Sequence, residues 1–181
     1  MKTLSTFLNR ISNWKSLLFF LALYILFNGY ILKNTENKII ELAGKSVSII
    51  DLTFGFNPQK TLMMIGEYGD AARSYYARIE LTTDVVYPIV YAFLFGIILT
   101  LLLRKRSYVW VSVFPFFCLL FDYLENINIV ILLITFPQQS FTIAILCEIF
   151  KFLKWLTFGC VILLIIFGLT SKLINLVKQR L

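Results

Sequence analysis

Polar residues are scarce along this chain, and they are not scattered. Four long apolar runs stand between polar stretches, at about Lys15–Leu32, Asp84–Leu103, Tyr108–Phe136 and Phe141–Leu169. A helix needs roughly 20 mostly apolar residues to cross ~30 Å of hydrocarbon, so each run predicts a transmembrane span. The last two exceed a perpendicular crossing, which predicts tilt or projection from the bilayer. The predicted fold is an all-α membrane protein, a four-helix transmembrane bundle with residues 1–181 as a single membrane domain. The first run has the basic flank of a cleaved leader, but NGYILKNTE lacks a small-x-small cleavage pattern, so it is read as a span.

Residues 33–83 predict an extracytoplasmic helical cap lying on the outer surface over the mouth of the bundle. Within them SVSIIDLTFGFNP alternates only in part and predicts an extended, strand-like piece. Asn57-Pro58 predicts a helix start, with Asn as the N-cap and Pro at the first helical position. The following QKTLMMIGEYGDAARSYYARIELTT reads as one or two amphipathic helices, broken near Gly66 and Gly69. Tyr68, Tyr75, Tyr76 and Tyr87 fall where interfacial aromatics are expected. At the other end, SKLINLVKQRL predicts a short amphipathic helix on the inner leaflet.

Composition sharpens this reading. Hydrophobic residues make up 59% of the chain and charged residues 15%, against about 25% charged in an ordinary soluble domain. The net charge of +7 is not a nucleic-acid footprint, because its basic residues sit in short clusters flanking the apolar runs. With four spans, Lys2, Arg10, Lys15, Arg104, Lys105, Arg106, Lys172, Lys178 and Arg180 fall on one side, with no acid among them. Both termini are therefore expected in the cytoplasm, with the protein in a plasma or bacterial inner membrane. The chain has no histidine, which removes every mechanism that requires an imidazole. Cys118, Cys147 and Cys160 lie inside apolar runs without a C-x-x-C, and read as small packing residues. No cofactor, metal or nucleic acid is expected. The expected partners are membrane lipid, a small amphiphilic ligand and, for some functions, a second copy of the chain.

One stretch breaks the apolar pattern: FDYLENINIV, residues 121–130. Asp122, Glu125 and Asn126 stand at i, i+3 and i+4 and share a helix face. The fourth span carries Glu148, Lys151 and Lys154 at intervals of three. These two spans are antiparallel neighbours joined by a short turn, so residues at equal depth have numbers of constant sum. That register puts Asp122 level with Lys154, Glu125 with Lys151, and Asn128 with Glu148. At ~1.5 Å per residue Lys154 lies too deep to snorkel easily to water, and an unpaired charge there costs on the order of 3 kcal/mol, so pairing is expected. Three acids against two lysines leave a charge unanswered. Asp84, Tyr87 and Tyr91 on the second span, Asn28 and Tyr24 on the first, and Arg78 are drawn in as neighbours.

Such a cluster has four readings. It binds a lipid-like or other membrane-soluble ligand through Asp84, Tyr87, Tyr91, Asp122, Glu125, Asn126, Glu148, Lys151 and Lys154. Or it is catalytic, with Asp122 or Glu125 as general acid or base. Or it conducts ions or protons in a small transporter, which would need a dimer. Or it is structural, an ion-pair network that fixes helix register. Buried ion pairs are a poor route to stability, and intramembrane ionisable residues are rare unless used, which favours a functional reading, and among the functional readings binding ranks first.

Several ordered motifs carry a resemblance. They are DLTFGFNP at residues 51–58, the glycines and Arg73 of GEYGDAARSYY, and D-x-x-Y-P at Asp84, Tyr87 and Pro88. They continue with D-x-x-E-N at Asp122, Glu125 and Asn126, and L-K-W at Leu153, Lys154 and Trp155. Over roughly residues 50–160 this pattern resembles an uncharacterised family of small four-span integral membrane proteins. The resemblance implies the architecture and this choice of residues, and no reaction. The four-span sterol isomerase-like domains are a more distant comparison, similar in helix number and buried acids, and the lack of histidine opposes carrying over their chemistry.

Overall fold

The structure, a computed structural model, describes residues 2–103 and 106–178. Arg104, Lys105 and Arg180 of the basic clusters lie outside the described residues. The chain is all-α, and four of its helical segments are long and apolar enough to cross a membrane: Trp14–Ala43, Gly69–Leu102, Trp110–Ile134 and Phe141–Ile174.

Helix α1 (Lys2–Ile11) packs against residues 83–102 and 106–113, with Leu8 fully buried. Asn13 caps the next helix, accepting from the Lys15 and Ser16 amides. That helix, α2 (Trp14–Leu26), turns Leu18, Phe19 and Ile25 outward, the surface expected toward lipid. It does not stop at Leu32. A wide π turn, Phe27–Ile31, carries it straight into α3 (Leu32–Ala43), and Gly44 in the left-handed region ends it. The chain is then extended to a short 3₁₀ turn at Ile50–Leu52, with no strand among the described residues.

Asn57 caps α4 (Pro58–Glu67) through the Lys60 amide, with Pro58 at the first turn. Helix α5 (Gly69–Glu80) follows, and α6 (Thr83–Leu102) continues nearly in line with it. Only one of the two suspected glycines makes the break. Gly69 has φ +73° with open space at its Cβ position, whereas Gly66 is helical and a Cβ there would meet Phe136 at an ordinary 3.8 Å. Gly69→Ala is therefore expected to cost ~1–2 kcal/mol, and Gly66→Ala to be neutral or to gain up to ~1 kcal/mol. Thermal unfolding of the two variants in detergent checks this, and equal effects would contradict it.

Residues 106–113 form a 3₁₀ stretch rather than the start of an α-helical span at Tyr108, and α7 (Pro115–Ile134) begins where Pro115 can occupy its first turn. The fourth helix, α8 (Phe141–Lys178), runs 38 residues without interruption. The predicted separate C-terminal helix is its continuation, and residues 179–181 lie outside the described part. At ~1.5 Å per residue α8 is about 57 Å long and projects beyond any bilayer core.

Helix α4 packs at the α7–α8 turn, but residues 53–57 of the loop do not lie flat over the mouth. Thr53 accepts from Lys151, and the Phe54 ring packs at a tilt against Trp155, 4.7 Å between centroids. Trp155 is roughly 20 Å along α8 from its outer end. The loop thus descends beside α8, with Phe54 and Phe56 still exposed on its outer side. Two hydrophobic clusters result. An outer one joins Ile39, Ile50, Ile65 and Tyr76 to Ile129, Leu132 and Cys147. An inner one gathers Tyr91, Phe95, Leu99, Cys118 and Val161. Tyr68 belongs to the outer cluster and donates to the Ser48 carbonyl at 2.7 Å. Burial, and then nearby Asp51, push its phenol well above the ordinary tyrosine range, so it remains a donor.

Candidate functional site

The polar site lies between these two clusters. Asp122, Glu125 and Asn126 project from one face of α7, as their spacing requires, and all are buried. Lys154 of α8 answers two of them. Its Nζ is 3.3 Å from Asp122 Oδ1 and 2.5 Å from Glu125 Oε2. The hydroxyl of Tyr91 on α6 donates to the other Asp122 oxygen at 2.8 Å.

The register from sequence thus places Asp122 against Lys154, but the other two facing pairs do not form. Lys151 does not meet Glu125. It pairs with Glu148 on its own helix at 2.5 Å and donates to Thr53 at 2.8 Å. Asn128 does not meet Glu148 either; it turns back to the Leu124 carbonyl. Positions 151 and 154 differ by about 60° around a helix, so when Lys154 faces α7, Lys151 points to the descending loop. Glu148 does the same, accepting from the Asn57 amide at 2.9 Å and the Thr61 hydroxyl at 2.6 Å. The residues read as one cluster are two: a site at Asp122, Glu125 and Lys154, and a clamp on the loop at Glu148 and Lys151.

A cavity of about 600 Å³ opens beside the first of these. That volume falls within the ~300–1,000 Å³ of ordinary small-molecule sites. Tyr24 and Asn28 of α2 and its π turn form one wall, and Trp155 and Phe158 of α8 the opposite one. Tyr87, Tyr91 and Phe95 of α6 lie between them, with Asp84, Asp122 and Lys154 among the polar lining. Asn28 accepts from Tyr87 at 3.1 Å and donates to the Tyr24 carbonyl, which holds the wall in place across the π turn. Arg78 is exposed and takes no part.

Of two acids that sequence reasoning left out, one lines the cavity and the other is buried within electrostatic reach of it. Asp51, from the loop, lines the cavity and accepts from Tyr76 at 3.0 Å. Glu80, at the end of α5, is 2% exposed with neither oxygen hydrogen-bonded. It stands within electrostatic reach of Asp51, Asp84, Asp122 and Glu125. The available signal for Asp51 was a lone acid inside the apolar SVSIIDLTF. Glu80 offered none, since ARIELTT reads as part of an amphipathic surface helix, where an acid is ordinary.

The polar groups are not saturated by one another. Glu125 Oε1 and the Trp155 indole nitrogen are buried without a hydrogen-bond partner. Nothing among the described residues bonds the Asp84 carboxylate; its link to Asn126 runs through the backbone carbonyl. Asp51, Asp84, Tyr87, Asp122, Lys154 and Trp155 come from four separate motifs of the sequence and meet at this one cavity. No protein-family model, curated protein or solved structure matches the chain.

Proposed function

We propose that this is an integral membrane protein that binds a lipid-like or other membrane-soluble ligand in the cavity between α2, α6 and α8. The observation that carries the reading is the incomplete saturation of the cluster. A purely structural network would satisfy its own charges and leave no aromatic-walled space beside them. Here Asp84 faces the cavity without a partner, and buried polar atoms on Glu80, Glu125 and Trp155 go unused. Basic residues concentrate at the end of the bundle that holds both termini, which supports the cytoplasmic placement of that end. A catalytic role for the same residues would fall to Asp122, which reaches the cavity, rather than to Glu125, which is fully buried behind it.

Photolabelling tests the reading. An alkyl-diazirine lipid analogue added to the protein in maltoside micelles is expected to mark Tyr87, Tyr91, Trp155 or Phe158. Ile79→Trp, which places a large ring at the cavity wall, is expected to reduce that labelling at least fivefold. Labelling confined to the outward-facing Leu163, Ile166 and Phe167 would sink the proposal.

A further inference from the structure

We propose that the ligand of this cavity is an amphiphile with a cationic head, a protonated amine carried on an alkyl or aryl body. This rests on the ligand-binding reading above and adds its charge. Asp51, Asp84 and Asp122 line the cavity, and Glu125 and Glu80 are buried outside its lining. The ammonium among them is that of Lys154, already engaged by both Asp122 and Glu125. Lys151 is held by Glu148 and Thr53. Lys33 lies at the mouth, exposed, with Glu36 one turn along. The interior is therefore short of positive charge, and Glu80 is an orphaned carboxyl inside that deficit.

The walls select among the things that could fill it. Aromatic faces attract cations through their quadrupoles, most strongly where water is excluded. Tyr24, Tyr87, Tyr91, Phe95, Trp155 and Phe158 supply such faces around Asp84 and Asp122. A fatty acid or phosphate head would meet uncompensated carboxylates, which disfavours it. A metal ion needs several convergent oxygen ligands, and among the described residues no three acid or thiol side chains converge that way. Protons alone would neutralise the acids but would leave the aromatic walls and the volume unused. An organic cation answers the charge, the walls and the volume together.

Competition against the photoprobe decides it. Dodecylamine, dodecan-1-ol and dodecanoate share a chain length and differ in head charge at pH 7. The amine is expected to displace the probe at a concentration at least tenfold lower than the alcohol, with the carboxylate weakest. Asp84→Asn, whose side chain has no partner to lose, is expected to shrink the gap between amine and alcohol to about twofold. Asp51→Asn should narrow it in the same direction. Equal competition by amine and alcohol, or a gap that survives both substitutions, overturns the cationic assignment and leaves the ligand cavity standing. If the probe never labels the cavity, both readings fall.

Discussion

Lys154→Met is expected to destabilise the detergent-solubilised protein by ~3–5 kcal/mol, the usual cost of removing one partner from a buried ion pair. The size follows from Lys154 serving two acids at once. Asp122 is 8% exposed and Glu125 not at all, and each has this ammonium as its counter-ion within ion-pairing distance. Losing it leaves two buried carboxylates facing each other across a low-dielectric site. The same geometry predicts how the damage is repaired. Adding Asp122→Asn removes one of the charges and recovers only part of the loss, because Glu125 stays unpaired. Tyr91 can still donate to the amide oxygen at that position. Adding Glu125→Gln as well should bring stability within ~1–2 kcal/mol of the parent. Denaturant unfolding of the single, double and triple variants measures all three steps. A neutral Lys154→Met would mean that the triad does not hold the native state. Full recovery in the double would mean that Glu125 does not depend on Lys154.

The parts of this arrangement that were legible in the sequence share one physical property: they are imposed by the bilayer or by helix periodicity. Four apolar runs become four membrane-length helices because hydrocarbon admits no unsatisfied backbone. The face shared by Asp122, Glu125 and Asn126 follows from helix spacing, and the Asp122–Lys154 level from the antiparallel register of α7 and α8. Register fixes depth but not rotation, and this is where the Glu125–Lys151 pairing failed. A pair three residues apart points in two directions, and which one faces α7 depends on what packs on the other side. That other element is the loop at residues 53–57, which reads as surface cap because nothing local in its composition says how deep it goes. Its descent beside α8 gives Lys151 and Glu148 their partners and carries Asp51 to the cavity. Glu80 was illegible for the same reason: its surroundings are made by that loop and by α7, far from it in sequence.

Glu148→Ala is expected to release the loop. One carboxylate, 1% exposed, holds three donors from three places: the Asn57 amide, the Thr61 hydroxyl and the Lys151 ammonium. Removing it also strands Lys151, itself 2% exposed, with Thr53 as its remaining acceptor. The cost should again be ~3–5 kcal/mol, concentrated in the loop and α4 rather than spread over the bundle. Chymotrypsin offers a local readout, since Phe54 and Phe56 are exposed side chains on a backbone held against α8. Cleavage there should accelerate at least tenfold in Glu148→Ala. Thr61→Val removes a single bond to the carboxylate and should cost ~1.5–3 kcal/mol with a smaller rise in cleavage. Because the loop contributes Asp51 and Leu52 to the cavity, the release should also weaken photolabelling there, although Glu148 itself does not line it. Unchanged proteolysis in Glu148→Ala would mean that the loop is held by its apolar contacts alone, and that Glu148 and Lys151 form an isolated pair on the face of α8.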